Sequence, residues 1–224
     1  MVESVLIVGA GSGLSASLAR LCASKEMKVV LAARNIEKLK DLKKEISAEI
    51  IKCDAANIKS VTDLFKRTDK IIGTPNLVIY NPSKRLSGSI IDLDPKKAYE
   101  AINITCYGGF LVAQQAAKRM LKKKRGSIFF TGATASVKGF AKSSVFAMGK
   151  FGLRGLAQSL ARELHPQNIH IAHFIIDGGI GHENYGSYKT IHPDSIAKTY
   201  LEFHNQDKSA WSWETELRTS VEKF

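Results

Sequence analysis

The stretch SVLIVGAGSGLS, residues 4–15, decides the fold of this chain. Its apolar run SVLIVG is typical of a buried strand, and a helical pattern begins at Gly13. The glycines between these elements permit a tight turn and a close approach of the backbone to a ligand. The helix N-terminus behind the turn offers free N–H groups and a positive dipole end, which favour a pyrophosphate. The stretch therefore predicts a dinucleotide site, and a plain strand–helix turn is the alternative.

Outward from this stretch, short apolar runs alternate with longer helical patterns along the whole chain. The predicted strands are residues 4–9, 27–34, 49–54, 76–81, 126–132, 169–176 and 211–217. The predicted helices are residues 13–24, 36–46, 61–68, 95–122, 143–164 and 194–204. This alternation predicts an α/β fold, a Rossmann-type doubly wound parallel sheet of about seven strands with helices on both faces. We expect a single domain over residues 1–224, with a lid at about 178–193.

The charge and composition of the chain indicate which kinds of partner and which compartment to expect. The 224 residues carry a net charge of +12, and the densest basic run, KRMLKKKRG (118–126), is interpreted as a solvated helix end. No aromatic residues interleave it, so we expect no nucleic-acid partner. No apolar run reaches the roughly 18–20 residues of a membrane span, so we expect no membrane partner. Three separated cysteines without disulfide or zinc spacing predict a cytoplasmic protein without a metal site.

The end of the second predicted strand bears on the choice of cofactor. Arg34 stands there, at a place where NAD binders usually carry an acid for the ribose 2′-hydroxyl. An arginine is planar, always charged and bidentate toward phosphate, so it suits the 2′-phosphate of NADP. We therefore expect NADP rather than NAD. The alternative is a surface arginine at a helix start, which the helix dipole disfavours.

The glycine loop resembles the GxxxGxG loop of the short-chain dehydrogenase/reductase family. Gly9 and Gly13 are in register with that loop, and Ser15 replaces its third glycine. The family motif NNAG is represented here by YNPS (80–83), which keeps the second asparagine. The resemblance extends over residues 4–179 at least, so it covers most of the chain.

The resemblance implies a set of cofactor-binding residues. In the family an aspartate after the third strand accepts from the adenine amino group, and Asp54 stands at that place. A cap for the following helix is the alternative role of Asp54. The family's PG motif after the sixth strand is replaced by Asp177–Gly178. The implied cofactor-binding residues are Gly9, Gly11, Ser12, Gly13, Leu14, Arg34, Asp54, Ala55, Asn81, Lys150 and Gly178.

The resemblance also implies a catalytic set, of which two members are missing. In the family a tyrosine donates a proton to the carbonyl oxygen as hydride arrives, and a serine polarises the carbonyl. The tyrosine position is Phe146 in FAMGK, and the serine position is Ala133. The family lysine matches Lys150, and the family asparagine is assigned to Asn103 in AINITCYGGF. Phe146 and Lys150 are four apart on a helix, so we expect them on one face, with Phe146 as a packing aromatic in the simplest interpretation.

Another group has to supply the proton if chemistry survives, because general acid–base catalysis contributes about 10²–10⁴ in rate. Lys150 could donate directly if burial beside an apolar neighbour lowers its pKa. Hydroxyls near Ala133, on Thr131, Thr134 and Ser136, could polarise a carbonyl. His182, where the family has a threonine, titrates near working pH, and Tyr185 and Tyr188 could swing in from the lid. The candidate catalytic residues are Asn103, Lys150, Phe146, Thr131 and His182.

Two functions of different class follow from these residues. The first is an NADP-dependent oxidoreductase that acts on a small carbonyl or alcohol with a non-standard proton donor. The second is a non-catalytic NAD(P)-binding sensor or interaction protein on the same fold, which the loss of both hydroxyls favours. The family resemblance implies a homodimer or homotetramer formed through the long helices at about 95–122 and 143–164.

Overall fold

The computed structural model describes residues 2–181 and 189–221 and contains one seven-stranded, fully parallel sheet. The strands are β1 (Ser4–Val8), β2 (Lys28–Ala33), β3 (Glu49–Lys52), β4 (Leu77–Tyr80), β5 (Gly126–Thr131), β6 (Ile169–Asp177) and β7 (Glu214–Arg218). Their order in the sheet is β3-β2-β1-β4-β5-β6-β7. The order reverses between β1 and β4, and a ligand crevice forms at the carboxyl side of such a switch.

The helices cover both faces of the sheet. They are α1 (Leu14–Ser24), α2 (Lys40–Ile46), α3 (Ile58–Ile72), α4 (Pro95–Ile102), α5 (Gly108–Lys123), α6 (Ser144–Leu164) and α7 (Pro193–His204). On one face α1 packs against α7, and on the other face α3, α5 and α6 pack over the sheet. Within the described residues, no helix has the length and apolar character that crossing a membrane requires.

Side chains of β1 alternate between the two halves of the core, as the pleat of a strand requires. Val5 and Ile7 join the cluster that contains α1 and α7, whereas Leu6 and Val8 join the cluster under α3 and α5. All five residues of the strand are buried. Because both faces are covered, the central strands are continuously apolar, which explains why the sequence pattern predicted a parallel sheet.

The helical segment that follows β4 contains a π-helical turn at Asn103–Tyr107, between α4 and α5. The hydroxyl of the buried Tyr80 donates to the carbonyl of Ile104 in this turn (2.5 Å). A Cβ on Gly108 would overlap the Tyr80 hydroxyl, so glycine at this position lets the helix approach the end of β4. This contact fixes the position of the helix beside the carboxyl edge of the sheet.

The predicted fold class is confirmed, and the differences lie at element ends. α3 begins at Ile58 rather than at residue 61, because Asn57 caps it by accepting from the N–H of Ser60 (2.8 Å). β7 begins at Glu214 rather than at residue 211. The predicted lid at 178–193 is described only at its two ends, where Gly179 and Ile191 are joined by a backbone hydrogen bond (2.8 Å).

Candidate active site

Gly9 ends β1 in a conformation that other residues rarely adopt. Its φ is +82°, and a Cβ at this position would lie 2.6 Å from the backbone nitrogen of Pro82. The N–H groups of Gly9 and Ala10 both donate to the carbonyl of Ala32 on β2 (2.9 Å each). Glycine is therefore required here by both conformation and space, and the turn is held against the strand ends.

Ser15, in place of a third glycine, ties the turn to β4. Its hydroxyl donates to the carbonyl of Gly9 (3.2 Å) and accepts from the side-chain amide of Asn81 (2.7 Å). Ser15 is buried at the start of α1. The predicted cofactor residue Asn81 thus acts on the glycine turn through Ser15, a link that the sequence analysis did not foresee.

A cleft of about 340 Å³ lies beside this turn, at the carboxyl ends of β1 to β4. No described side chain caps the N-terminus of α1, and its first turn has no acidic residue. Residues 11–13 continue the turn, and a Cβ on Gly13 would meet nothing within 4 Å. Leu14 is buried as the first residue of α1. The free N–H groups, the dipole and the open glycine surface fit the pyrophosphate of a dinucleotide.

Two cations line the cleft beyond β2. Arg34 lies at the wall as predicted, and Lys38 lies beside it in the helical turn Glu37–Leu39. The ammonium of Lys38 is 3.8 Å from the position of a Cβ on Gly11, so it reaches the glycine turn. Neither cation pairs with a carboxylate in the part of the chain that the structure describes. Lys38 was not predicted from the sequence, because Arg34 precedes the helical turn and helical spacing does not relate the two.

Asp54 and Ala55 form the wall of the cleft beyond β3. One carboxylate oxygen of Asp54 accepts the N–H of Ala56 (3.0 Å), and the Asp54 N–H donates to the Ser60 hydroxyl (2.9 Å). The helix that follows is capped by Asn57, so the alternative role of Asp54 as its cap is not what the structure shows. Asp54 is exposed at this wall of the cleft.

Lys150, on α6, is the buried cation of the site. Its side chain is almost fully enclosed, with the residue 2% exposed, and Nζ donates to the carbonyl of Thr131 at the end of β5 (2.6 Å). Burial, and to a smaller extent the charge of Arg85, lowers the pKa of Lys150 from 10.5 to about 7. Among the described residues no carboxylate pairs with it. At neutral pH the ammonium and the neutral amine forms of this lysine are therefore both populated.

Phe146 lies one turn before Lys150, and its ring centroid is 5.9 Å from Nζ, so the two share a face as expected. The ring is buried, and the guanidinium carbon of Arg85 lies 4.7 Å from its centroid. Arg85 is exposed and belongs to the irregular segment after β4. Arg85 was not predicted from the sequence, because the pattern of an irregular segment does not show which side chain folds back over the site.

Thr131 contributes to the site through its backbone. Its hydroxyl is paired with the Tyr200 hydroxyl inside the core (2.9 Å), on the α7 side of the sheet. Its carbonyl accepts a hydrogen bond from the ammonium of Lys150. The structure therefore does not present the Thr131 hydroxyl to a substrate, because side chains alternate along β5 and this one points to the opposite face.

The two other hydroxyls near Ala133 also have partners. Thr134 donates to the carboxylate of Asp177, and the Ser136 hydroxyl lies 3.3 Å from Nε2 of His173. Ser136 also accepts the N–H of Ala133 (3.1 Å) and is fully buried. These contacts fix the loop after β5 and leave no hydroxyl at the position of the missing serine.

Asn103 lines a surface groove of the helical segment after β4, together with Tyr99 and Tyr107. In the same turn the buried Thr105 packs against α6, since a Cβ on Gly149 would lie 2.9 Å from the Cβ of Thr105. The catalytic role of Asn103 stays a prediction.

The residues after β6 border the same edge of the sheet. Gly178 has a φ of +151° and lies exposed after Asp177, outside the cleft lining. Asp177 is held by Thr134 and by Arg218 of β7 (2.8 Å). His182, with Tyr185 and Tyr188, lies outside the described residues.

Comparisons with known proteins identify the family and agree with the fold. The family model described as short chain dehydrogenase matches residues 3–180. An uncharacterized oxidoreductase of Staphylococcus aureus is 28% identical over 213 residues, which are 91% of each chain. A short-chain dehydrogenase structure from Rhodopseudomonas palustris is 35% identical, with a TM-score of 0.86 over 96% of this chain and 98% of that one. A metagenomic short-chain oxidoreductase solved with NADP is 23% identical, with a TM-score of 0.87 over 98% of each chain. The chain therefore belongs to the short-chain dehydrogenase family of oxidoreductases.

Proposed function

We propose that this protein is an NADP-dependent oxidoreductase that transfers hydride to or from a small carbonyl or alcohol, with Lys150 as its proton donor. The observation that carries the proposal is the burial of Lys150 without a carboxylate partner among the described residues. Enclosing an ammonium in this way costs stability, and an apolar side chain would fill the space at lower cost. A lysine kept there, with a pKa of about 7, is suited to proton transfer at neutral pH.

NADP is proposed over NAD because two cations, Arg34 and Lys38, border the cleft beyond β2. A 2′-phosphate would supply the anionic partner that both of them lack among the described residues. Asp54 lies on the opposite wall, beyond β3, where it can accept from the adenine amino group. The glycine turn and the N-terminus of α1 would hold the pyrophosphate between these ends.

The proposed chemistry uses few protein groups. NADPH, when bound, would supply the hydride for the carbonyl carbon of the substrate. Lys150 donates a proton from its ammonium to the carbonyl oxygen, and the carbonyl of Thr131 orients that ammonium through a 2.6 Å hydrogen bond. The other two N–H groups of the ammonium have no acceptor among the described residues, and in this proposal they bond to the substrate oxygen and a ribose hydroxyl once both ligands are bound. In the oxidative direction the neutral amine accepts the proton of the alcohol.

Assembly into a homodimer or homotetramer through α4–α5 and α6 is part of the proposal. Tyr107 and Phe110 stack on each other (6.0 Å between centroids) and are exposed, as are Met148 and Phe151 on α6. Exposed aromatic and apolar side chains on two neighbouring helices are suited to a protein interface. Light scattering with and without Phe110→Asp tests this assembly, which a monomeric wild type would contradict.

The first experiment titrates the purified protein with NADPH and NADH, followed by nicotinamide fluorescence, and then screens carbonyl compounds for NADPH oxidation. We expect micromolar NADPH binding, weak NADH binding and turnover that falls as the pH rises above about 7, since Lys150 then loses its proton. Binding with no turnover of any carbonyl would support the non-catalytic sensor instead. Binding of neither nucleotide would contradict both functions.

Two variants identify the proton donor. Phe146→Tyr places a phenol four residues from Lys150, and we expect it to raise turnover by about tenfold or more. His182→Ala removes the competing candidate on the lid, and we expect turnover to be kept. Loss of turnover in His182→Ala, with NADPH binding intact, would move the proton donor from Lys150 to His182.

A further inference from the structure

Some charged side chains at the carboxyl edge of the sheet have ion-pair partners, and one arginine has none among the described residues. Lys84 is paired with Glu100 (2.7 Å), and Asp177 is paired with Arg218 (2.8 Å), so these charges are balanced locally. Arg85, next to Lys84 in sequence, has neither an ion pair nor a hydrogen bond with any described residue. The contact that the structure gives it is the face of Phe146, at 4.7 Å.

The contact with the face of Phe146 leaves the hydrogen-bond donors of the guanidinium unused. A guanidinium over the face of a ring is attracted through its charge, so its N–H groups remain for other acceptors. Those groups form a fork that matches a carboxylate through two parallel hydrogen bonds. The aromatic ring that replaces the family tyrosine therefore serves as a platform for a cation beside the reacting centre.

The electrostatic setting also favours an anion at this place. Arg85 and Lys150 both lie near the ring of Phe146, with their charged groups 4.7 Å and 5.9 Å from its centroid. The positive charge of Arg85 disfavours the ammonium form of Lys150 and so lowers its pKa. An anion bound between them would relieve this repulsion and stabilise the protonated lysine that carbonyl reduction requires.

We propose that Arg85 binds the carboxylate of the substrate and makes the enzyme selective for oxo acids. This inference rests on the proposed oxidoreductase function and names its substrate class. In the reductive direction, hydride forms the new C–H bond at the carbonyl carbon as the C=O π bond breaks, and the proton of Lys150 forms the O–H bond. NADPH becomes NADP⁺, the oxo acid becomes a hydroxy acid, and the carboxylate stays on Arg85 throughout.

The test compares matched acids and esters as probes. Pyruvate and methyl pyruvate share a 2-oxo carbonyl, and acetoacetate and ethyl acetoacetate share a 3-oxo carbonyl, but only the acids carry the charge. In wild type we expect at least one acid to be preferred over its ester. At pH 6, where Lys150 is largely protonated with or without Arg85, Arg85→Gln should lower kcat/KM for that acid about tenfold to a hundredfold, mainly through KM, and leave the ester unchanged. Arg85→Lys keeps the charge but loses the fork of N–H donors. Its kcat/KM for the acid should lie between the values of wild type and Arg85→Gln.

Lys138→Gln is the matched control, because Lys138 is also an exposed cation over an aromatic ring, that of Phe140 at 5.5 Å. Its kinetics should equal those of wild type. An equal loss on acid and ester in Arg85→Gln would overturn the inference, since Arg85 would then act on the carbonyl oxygen. Turnover without any acid preference would overturn it too, while leaving the oxidoreductase function in place.

A binding experiment separates the inference from the proposed function. The protein loaded with NADP⁺ cannot reduce a carbonyl, so saturation-transfer NMR can compare pyruvate with methyl pyruvate, and acetoacetate with ethyl acetoacetate, without turnover. Binding of an acid that is lost in Arg85→Gln and kept in Lys138→Gln supports the carboxylate site, even if no carbonyl is reduced with NADPH. Absence of acid binding in wild type contradicts it.

Discussion

The candidate site lies along the carboxyl edge of the sheet, and its β1–β3 end differs from its β4–β6 end. At the β1–β3 end, Gly9, Arg34 and Asp54 line an open cleft beside the glycine turn. At the β4–β6 end, Lys150 is buried beside the aromatic ring of Phe146. Binding a nucleotide depends on backbone geometry and a few charges, whereas proton transfer depends on single side chains. The two ends can therefore be tested separately.

Replacing Lys150 gives the largest expected effect and isolates the β4–β6 end. Lys150→Met should lower turnover by about a thousandfold or more, since it removes both the proposed acid and a ribose contact, and should leave NADPH binding within tenfold. The variant should be more stable than wild type. At pH 6 its free energy of unfolding should be about 2 kcal/mol higher, because the folded wild type must hold a charge that burial disfavours.

The sign of that stability change follows from the pKa of Lys150, which is about 7 in the folded protein and 10.5 as its ordinary value. Between these values the unfolded chain binds more protons than the folded one, so the stability of wild type rises with pH from about 7 to 10.5. Lys150→Met should lack this rise, as measured by urea unfolding across that range. The same rise in both proteins would show that other groups cause it.

Adding a methyl group to the glycine turn tests the β1–β3 end. Gly9→Ala puts a Cβ 2.6 Å from the Pro82 nitrogen at a φ of +82°, so both strain and overlap apply. We expect the free energy of unfolding to fall by about 2–4 kcal/mol and NADPH binding to weaken. Gly155→Ala on α6 is the control, since its Cβ would meet nothing within 4 Å. That variant should be neutral or up to about 1 kcal/mol more stable.

Removing the two cations beyond β2 should separate the two nucleotides. Arg34→Ala and Lys38→Ala should each weaken NADPH binding by about tenfold to a hundredfold and leave NADH binding unchanged. Nicotinamide fluorescence measures both affinities. Lys40→Ala serves as the control, because that lysine is paired with Glu37 (2.5 Å) outside the cleft lining. An equal loss for NADPH and NADH would place these cations on the pyrophosphate instead of the 2′-phosphate.

The smallest predicted effect concerns the link between the two ends. Ser15 joins the glycine turn to Asn81 on the segment after β4. Ser15→Ala leaves the Asn81 amide without this acceptor, and we expect a loss of about 1 kcal/mol in unfolding free energy and a slight weakening of NADPH binding. Denaturant unfolding measures the loss, and an unchanged midpoint would show that the link does not stabilise the turn.

The fold was predictable from the sequence because its signals are local and repeated. Apolar strands buried on both faces read as continuous runs, and the glycine turn stands directly after the first of them. The expected face shared by Phe146 and Lys150 follows from helical spacing and is confirmed. These inferences need no knowledge of which distant residues meet.

The positions of the remaining site residues depend on tertiary contacts that spacing in the sequence does not predict. Thr105, which lies two residues after Asn103 in the π-helical turn, packs against Gly149 of α6, and nothing in the sequence singles it out. The hydroxyl of Thr131 points to the far side of the sheet, where it is hydrogen-bonded to the Tyr200 hydroxyl. Arg85 reaches Phe146 from an irregular segment more than fifty residues away in sequence. Each of these outcomes was decided by tertiary packing.

The pKa of Lys150, measured directly, tests the central claim about the β4–β6 end. Protein labelled with ¹³C and ¹⁵N in its lysines can be titrated by NMR, with the Lys150 signal assigned by its absence in Lys150→Met. The account predicts a midpoint near pH 7, which moves upward in Arg85→Gln because a repelling charge is removed. A midpoint above pH 9 in wild type would contradict Lys150 as the proton donor, since the ammonium would then hold its proton too strongly at neutral pH.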